Sequence, residues 1–207
     1  MRDGAERAAG RALLFDVGNV IVHFDFAPAR RHLEAASEVA GDPLECLAAL
    51  KVELELGRID GATFIDRAVE SLGYRGTRAE FRRVWEEIFS INPAMARTIE
   101  QAHSNFPLFL LSNTSDIHRE ALFRDFPVFG CFAGGVYSYL AHRAKPDAEI
   151  YRQAIDEFGL VPAETLYVDD RPENVAAGAR AGLVSILYDP LSHERFLWEA
   201  SERGFAL

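Results

Sequence analysis

The sequence predicts an α/β protein in which a parallel sheet carries helices on both faces and a small four-helix unit follows the first strand. Two observations predict this class. Short apolar runs alternate with stretches of helical periodicity, which is the pattern of a parallel sheet covered on both sides. One long region, residues 26–91, has helical periodicity alone, which indicates an all-helical insertion.

The strands are predicted from runs of almost continuous apolar residues. Such runs are typical of strands that are buried on both faces, as in a parallel sheet. Four runs are clear, and the one over residues 131–137 is weaker. In chain order the runs are Ala12–Phe15, Pro107–Leu111, Cys131–Tyr137, Thr165–Val168 and Leu183–Leu187.

Turn and capping signals divide the inserted region into helices. Asp42 followed by Pro43 supplies an N-cap and a proline at the first helical position, and Thr77-x-x-Glu80 is a capping box. We expect no strand in this region. The predicted helices cover residues 27–40, 43–56, 61–72 and 77–90. The predicted organisation is a flexible leader at 1–10, a core domain built from 11–25 and 92–207, and a helical cap at 26–91.

Composition limits the partners and the compartment. The chain has 207 residues, with 22 Lys and Arg against 32 Asp and Glu, for a formal net charge of −10. This acidic balance argues against nucleic-acid binding through phosphate neutralisation. Cys46 and Cys131 have neither metal-ligand spacing nor a disulfide pattern, and no apolar run reaches the length of a membrane span. The first residues lack the apolar segment of a signal peptide, so we expect a cytoplasmic monomer or homodimer without a membrane partner.

Polar side chains stand where the predicted strands end. Because ligands bind at the carboxyl ends of the strands in open α/β sheets, we expect these side chains to meet at one edge. Between the strands, Lys145 precedes a predicted helix. The candidates after the strands are Asp16, Ser112, Asn113, Asp169, Asp170 and Asn174.

The chemistry of this set indicates a cation and a phosphate. Three carboxylates cannot stay ionised side by side without a cation, and Mg²⁺ is a hard ion that takes carboxylate, water and phosphate oxygens. Ser112, Asn113 and Lys145 supply donors for the remaining phosphate oxygens. The combination predicts phosphoryl transfer through a carboxylate nucleophile.

Four segments carry a resemblance to a known family. FDVGNVIVHFD, LLSNTSD, KPDAEIY and YVDDRPEN resemble motifs one to four of the haloacid dehalogenase (HAD) superfamily, in order, over residues 11–188. The helical insertion resembles the cap that some members carry after the first strand. Within the superfamily the motifs most resemble those of bacterial sugar-phosphate phosphatases typified by α-D-glucose-1-phosphate phosphatase. The resemblance implies a Rossmann-like core, Mg²⁺ as cofactor and a small phosphorylated metabolite as substrate.

The resemblance also implies how the metal is held. Asp16 attacks phosphorus and binds Mg²⁺ through its second carboxyl oxygen. The backbone carbonyl of Gly18 and the carboxylate of Asp170 are the other protein ligands. Asp169 and Asn174 do not bind the metal directly in this scheme, and they orient the groups that do.

The phosphate side of the site follows from the second and third motifs. By the same resemblance, Ser112 and Asn113 hold the phosphoryl oxygens. Lys145 neutralises charge on Asp16 and on the phosphate. Asp16 and Lys145 are therefore the expected catalytic pair.

The first motif departs from the family pattern at Gly18. Relatives usually have a second aspartate there, which protonates the leaving oxygen and later activates water, and such help is worth roughly 10²–10⁴-fold. Either another donor replaces it, with His23, Asp25 and His142 as candidates, or the leaving group needs little protonation. The second case favours anomeric phosphates, and it predicts faster hydrolysis of hexose 1-phosphates than of 6-phosphates.

The function expected first is Mg²⁺-dependent hydrolysis of a small phosphorylated metabolite, such as a hexose 1-phosphate, through an aspartyl phosphate. One alternative is 2-haloacid dehalogenation, in which Asp16 attacks carbon without a metal. The adjacent Asp169 and Asp170 argue against it, because a site without a metal has no reason to gather acids. Another alternative is a catalytically weak phosphate-binding or regulatory protein, which the missing acid at Gly18 keeps open.

Overall fold

The computed structural model describes residues 10–207, so the predicted leader at 1–10 lies outside the described residues apart from Gly10. The strands are β1 (Ala12–Phe15), β2 (Val22–Phe24), β3 (Phe89–Ile91), β4 (Leu108–Ser112), β5 (Gly134–Tyr137), β6 (Thr165–Asp169) and β7 (Val184–Leu187). Five of them form one parallel sheet in the order β5-β4-β1-β6-β7. The predicted α/β class is confirmed, and each of the five predicted runs contains a strand, although the run over 131–137 forms its strand only from Gly134 because Cys131 ends a short 3-10 helix.

Eleven α-helices accompany the strands in the described residues. They are α1 (Ala27–Ala36), α2 (Pro43–Cys46), α3 (Ala48–Glu55), α4 (Gly61–Leu72), α5 (Arg78–Glu86), α6 (Pro93–Ala102), α7 (Asp116–Asp125), α8 (Ser138–Ala141), α9 (Ala148–Phe158), α10 (Pro172–Arg180) and α11 (His193–Glu202). Within the described part of the chain, none of them has the length and apolar character needed to cross a membrane.

The sheet is buried on both faces, as the apolar runs predict. Side chains of β1 alternate between two apolar clusters, with Leu13 and Phe15 in one and Ala12 and Leu14 in the other. All four are fully buried. Helices α6, α7 and α11 contribute to the first cluster, and α9 and α10 contribute to the second. In an open sheet of this kind, ligands bind at the carboxyl ends of the strands.

Helices α1–α5 pack around a third apolar cluster, to which Ile117 of α7 also contributes. Its fully buried aromatic side chains include Phe64 and Phe81, and Trp85 is nearly so. The chain enters and leaves this unit through an antiparallel ribbon in which Val22 pairs with Ile91 and Phe24 pairs with Phe89.

Three expectations for the inserted region are wrong in detail. Residues 89–91 form strand β3, although we expected no strand there. The helix expected over 43–56 is two helices, because the N–H of Leu47 bonds back to the carbonyls of Pro43 and Glu45 and closes a tight turn. The helices expected over 27–40 and 77–90 end earlier, at Ala36 and Glu86.

The helical unit is docked on the core by polar contacts. The Asp116 carboxylate accepts a hydrogen bond from the Gly61 N–H at 2.8 Å. His118 Nε2 lies 3.0 Å from the Trp85 carbonyl oxygen, which is an acceptor, so this nitrogen is the donor. These contacts join helices α4 and α5 of the helical unit to α7 of the core.

Candidate active site

The strand order brings the sequence-predicted residues together. Strand β1 lies between β4 and β6, so Asp16, Ser112 and Asp169 leave neighbouring strands at the same edge. Lys145 reaches this edge from the loop before α9. Asp16 is 7% exposed, Ser112 2%, Lys145 5% and Asp169 0%. The cluster is therefore almost fully removed from bulk water, and its charges interact strongly.

Lys145 bridges two of the carboxylates. Its Nζ lies 2.7 Å from Asp16 Oδ1 and 2.7 Å from Asp169 Oδ2. One ammonium thus serves two buried acids, and the second oxygen of Asp16 is not engaged by it.

Asp169 has donors on both of its oxygens. Tyr167 donates its hydroxyl to Oδ2 at 2.5 Å, and the backbone N–H of Arg171 donates to Oδ1 at 2.9 Å. Asn174 Nδ2 lies 3.0 and 3.1 Å from the two oxygens. A carboxylate held from so many sides is suited to fixing its neighbour Lys145.

Asp170 is more open than Asp169. Its side chain accepts one hydrogen bond, from Asn19 Nδ2 at 3.0 Å, and the residue is half-buried. One carboxylate oxygen from each of Asp16, Asp169 and Asp170 lies within 4.8 Å of the others. Three acids at this spacing, with one ammonium among them, form the oxygen-rich and negatively charged set that Mg²⁺ prefers.

The side-chain oxygen of Asn174 also suits a site that holds a hydrated cation. Asn174 Oδ1 is buried and has no hydrogen-bond partner among the described residues. The residue lines the same cavity of about 230 Å³ as Asp16 and Asp170. Buried acceptors are normally satisfied, and a water held by a cation is a donor suited to this place.

Burial shapes the ionisation of the cluster. It raises the pKa of Asp16 to about 7, although the neighbouring Lys145 opposes this. Burial also raises the pKa of Asp170. For Lys145, burial lowers the pKa, but the charges of Asp16 and Asp169 outweigh it and the net direction is upward. Lys145 alone therefore does not neutralise the negative charge of the carboxylates, and a divalent cation would supply the missing positive charge.

Asn113 makes contacts that its sequence motif does not reveal. Its Oδ1 accepts from the Lys145 N–H at 2.8 Å, and its Nδ2 donates to the Lys145 carbonyl at 3.0 Å. The side chain therefore fixes the loop that carries the lysine. Ser112 and Gly18 line a smaller cavity with Asn113 beneath the helical unit.

The three residues suggested as replacement proton donors make other contacts. His23 sits on the ribbon opposite Ser90. Asp25 is exposed, and its carboxylate accepts the Ala27 N–H at 2.8 Å at the start of α1. His142 is exposed, with its Nδ1 3.0 Å from the Leu56 carbonyl. None of the three lines the described cavities that contain Gly18.

Sequence reasoning assigned no role to several residues at the site. Lys51 and Glu55 of α3 line the same cavity as Asp16 and Gly18, and Asn19 and Tyr167 hold the fourth-motif carboxylates. Spacing of four residues puts Lys51 and Glu55 on one face of a helix, but it does not tell which way that face points. The signal for Asn19 was its place in the first motif, and its positive φ of 55° is a conformation that asparagine tolerates.

Comparison with known proteins decides the family. A model described as haloacid dehalogenase-like hydrolase matches residues 11–182. The chain belongs to this family. The expected superfamily and its α/β fold are thereby confirmed, and the protein is an enzyme of the hydrolase class. A curated phosphatase among its relatives agrees with the prediction of a phosphoric monoester hydrolase.

One curated relative is named a phosphatase and another a hydrolase. D-ribitol-5-phosphate phosphatase of Bacteroides thetaiotaomicron is 26% identical over an alignment of 180 residues, gaps included, that covers 82% of this chain and 87% of that protein. Flavin mononucleotide hydrolase 1 of Arabidopsis thaliana is 31% identical over 52 residues, 25% of this chain. That second match spans only 21% of the plant protein's length.

Solved structures agree with the fold. A HAD family enzyme from Bacteroides thetaiotaomicron, in complex with magnesium and inorganic phosphate, has a TM-score of 0.79 at 23% identity, covering 88% of this chain and 96% of that one. An L-2-haloacid dehalogenase from Xanthobacter autotrophicus has a TM-score of 0.62 at 18% identity, covering 95% of this chain and 84% of that one. At these identities the likeness concerns the fold alone.

Proposed function

We propose that this hydrolase is a Mg²⁺-dependent phosphatase that acts on a small phosphorylated sugar or sugar alcohol. The observation that carries the proposal is the cluster of Asp16, Asp169 and Asp170, in which the Lys145 ammonium pairs with the two buried acids, Asp16 and Asp169, and leaves Asp170 unpaired with it. Asp16, Asp170 and the carbonyl of Gly18 are the proposed metal ligands. Bound there, Mg²⁺ supplies charge neutralisation for the phosphoryl oxygens.

In the proposed reaction Asp16 is the nucleophile. Its carboxylate attacks phosphorus as the bond to the leaving oxygen breaks, and water then hydrolyses the aspartyl phosphate. Lys145, already 2.7 Å from Asp16, offsets the negative charge that the transferred group carries. Ser112 is proposed to donate to a phosphoryl oxygen, and the hydrogen bonds of Asn113 to the Lys145 backbone support the loop that carries the lysine.

Asp169 and Asn174 are proposed to act through their neighbours. Asp169 fixes the Lys145 ammonium at 2.7 Å, and Asn174 fixes Asp169 in turn. The helical unit closes over the site and excludes water, which strengthens these interactions. Residues 26–91 thus serve as a cap on a core made of 11–25 and 92–207.

The substrate class rests on chemistry and on relatives. The cavity around Asp16 is small and polar, with Lys51, Glu55 and Arg171 among its charged lining residues, which suits a hydroxyl-rich ligand. The name of the ribitol-phosphate relative supports a phosphorylated polyol or sugar. A hexose 1-phosphate is the first to test, because Gly18 supplies no acid and an anomeric oxygen leaves readily.

Steady-state hydrolysis of p-nitrophenyl phosphate tests the proposal. We expect turnover that requires Mg²⁺, is abolished by chelation and is lost in Asp16→Asn. A panel of hexose 1-phosphates, hexose 6-phosphates and ribitol 5-phosphate then ranks the substrates. Tight binding of inorganic phosphate without any turnover would favour the regulatory alternative instead. Halide release from a 2-haloacid without Mg²⁺ would favour dehalogenation.

A further inference from the structure

Two charged residues of the cap face the reacting edge of the core. Lys51 and Glu55 lie one turn apart on α3 and line the cavity that also contains Asp16 and Gly18. They line the adjoining smaller cavity with Ser112 as well. Gly18, the position that lacks an acid in the first motif, therefore shares these cavities with a carboxyl group of the cap.

Glu55 is shielded without being part of the acidic cluster. Its side chain is 30% exposed, and its Oε1 lies 3.5 Å from Lys51 Nζ. Burial raises the pKa of Glu55, with Lys51 opposing, so the carboxyl retains its proton more readily than an exposed glutamate does. Among the described residues no hydrogen bond or ion pair joins it to the proposed metal ligands. The other charged groups that line its cavity are Asp16, Lys145, Asp170 and Arg171.

The positions of the lysines in the chain also point to this cavity. Lys51 and Lys145 are the only two lysines in the sequence, since the remaining basic residues are arginines. Both lysines line this one cavity. The ammonium of Lys51 also lies 5.1 Å from the centre of the Phe26 ring, which holds the side chain in place beside Glu55.

We infer that Glu55 is the general acid of the first step, in place of the aspartate that Gly18 lacks. The inference rests on the proposed phosphatase function. As Asp16 forms its bond to phosphorus and the bond to the leaving oxygen breaks, the Glu55 carboxyl gives its proton to that oxygen and becomes a carboxylate. The alcohol leaves neutral, and the proton is regained from the water that hydrolyses the aspartyl phosphate. Lys51 is a positioning residue that holds Glu55.

The dependence on the leaving group tests this role. An alkoxide needs protonation, whereas p-nitrophenolate leaves without it, and kcat/KM reports the step in which either one leaves. For Glu55→Gln with Mg²⁺ we expect kcat/KM to fall about 100-fold on glucose 6-phosphate and ribitol 5-phosphate but less than about threefold on p-nitrophenyl phosphate. Glu55→Asp keeps an acid and should recover part of the alkyl phosphate activity.

A matched control lies on the same helix. Glu53 pairs with Arg67 at 3.3 Å on the surface, and its side chain is 40% exposed, so Glu53→Gln should leave both classes of substrate unchanged. Equal losses of Glu55→Gln on alkyl and aryl phosphates, or no loss on either, would overturn the inference. So would a wild-type enzyme that hydrolyses aryl phosphates but no alkyl phosphate. Absence of any Mg²⁺-dependent turnover in the wild type would instead contradict the proposed function.

Discussion

Replacement of Lys145 by methionine removes the one cation that joins two buried acids. The ammonium contacts Asp16 and Asp169 at 2.7 Å each, and its own side chain is 1% exposed. Removing one partner of a buried ion pair costs about 3–5 kcal/mol, because the charge left behind stays desolvated. For a chain of this size each kcal/mol lowers Tm by about 2–4 °C, so we expect a loss of about 6–20 °C.

The assay is differential scanning calorimetry at pH 8 with a chelator present. Mg²⁺ should restore part of the lost Tm, because it places positive charge beside the same carboxylates. Arg143→Met is the control: its surface pair with Asp147, at 3.4 Å with both side chains about half exposed, should contribute less than about 1 kcal/mol. A Lys145→Met variant whose Tm falls no further than that of the control would refute the reasoning.

Three further predictions concern the pH response and two close contacts. Without metal, the free energy of unfolding should fall as pH rises from about 4 to about 7, because folded Asp16 keeps its proton up to about pH 7 while unfolded Asp16 loses it near 3.8. Denaturant titrations in chelator should show this slope in the wild type and a smaller one in Asp16→Asn, and stabilisation by Mg²⁺ should grow over the same range. In Gly178→Ala the new Cβ would lie 2.4 Å from a Tyr167 ring carbon, so we expect a loss of about 1–3 kcal/mol together with a lower kcat, measured by denaturation and kinetics. Gly61→Ala would put a Cβ 2.4 Å from an Ile117 side-chain carbon where the cap meets the core, so we expect the Tm of this variant to fall. A Tm equal to that of the wild type would contradict this packing.

The core could be predicted because its signals are local. The apolar runs of β1, β4 and β6 are continuous, and each is followed directly by a polar residue of the site, Asp16, Ser112 or Asp169. Asp16 and Asp169 therefore had to reach one edge once the strands were parallel and adjacent. No long-range information beyond the fold class was needed.

The ribbon and the cap face could not be predicted in the same way. Each strand of the ribbon has only three residues, Val22–Phe24 in one and Phe89–Ile91 in the other, and the cap separates them in the sequence. Because each strand is stabilised by pairing with the other, neither has a recognisable sequence pattern of its own. The orientation of Lys51 and Glu55 depends on how α3 docks, which helical periodicity does not encode. The hydrogen bonds of Asn113 to the Lys145 backbone likewise depend on two loops meeting.

The central claim is that Asp16 takes up the phosphoryl group. Rapid-quench mass spectrometry during the first turnovers with p-nitrophenyl phosphate measures this directly. The account predicts that the peptide containing Asp16 gains one phosphoryl group and that this gain requires Mg²⁺. In Asp16→Asn, both the phosphoryl group and the turnover should be absent. A phosphoryl group on another peptide, or undiminished Mg²⁺-dependent turnover by Asp16→Asn, would contradict it.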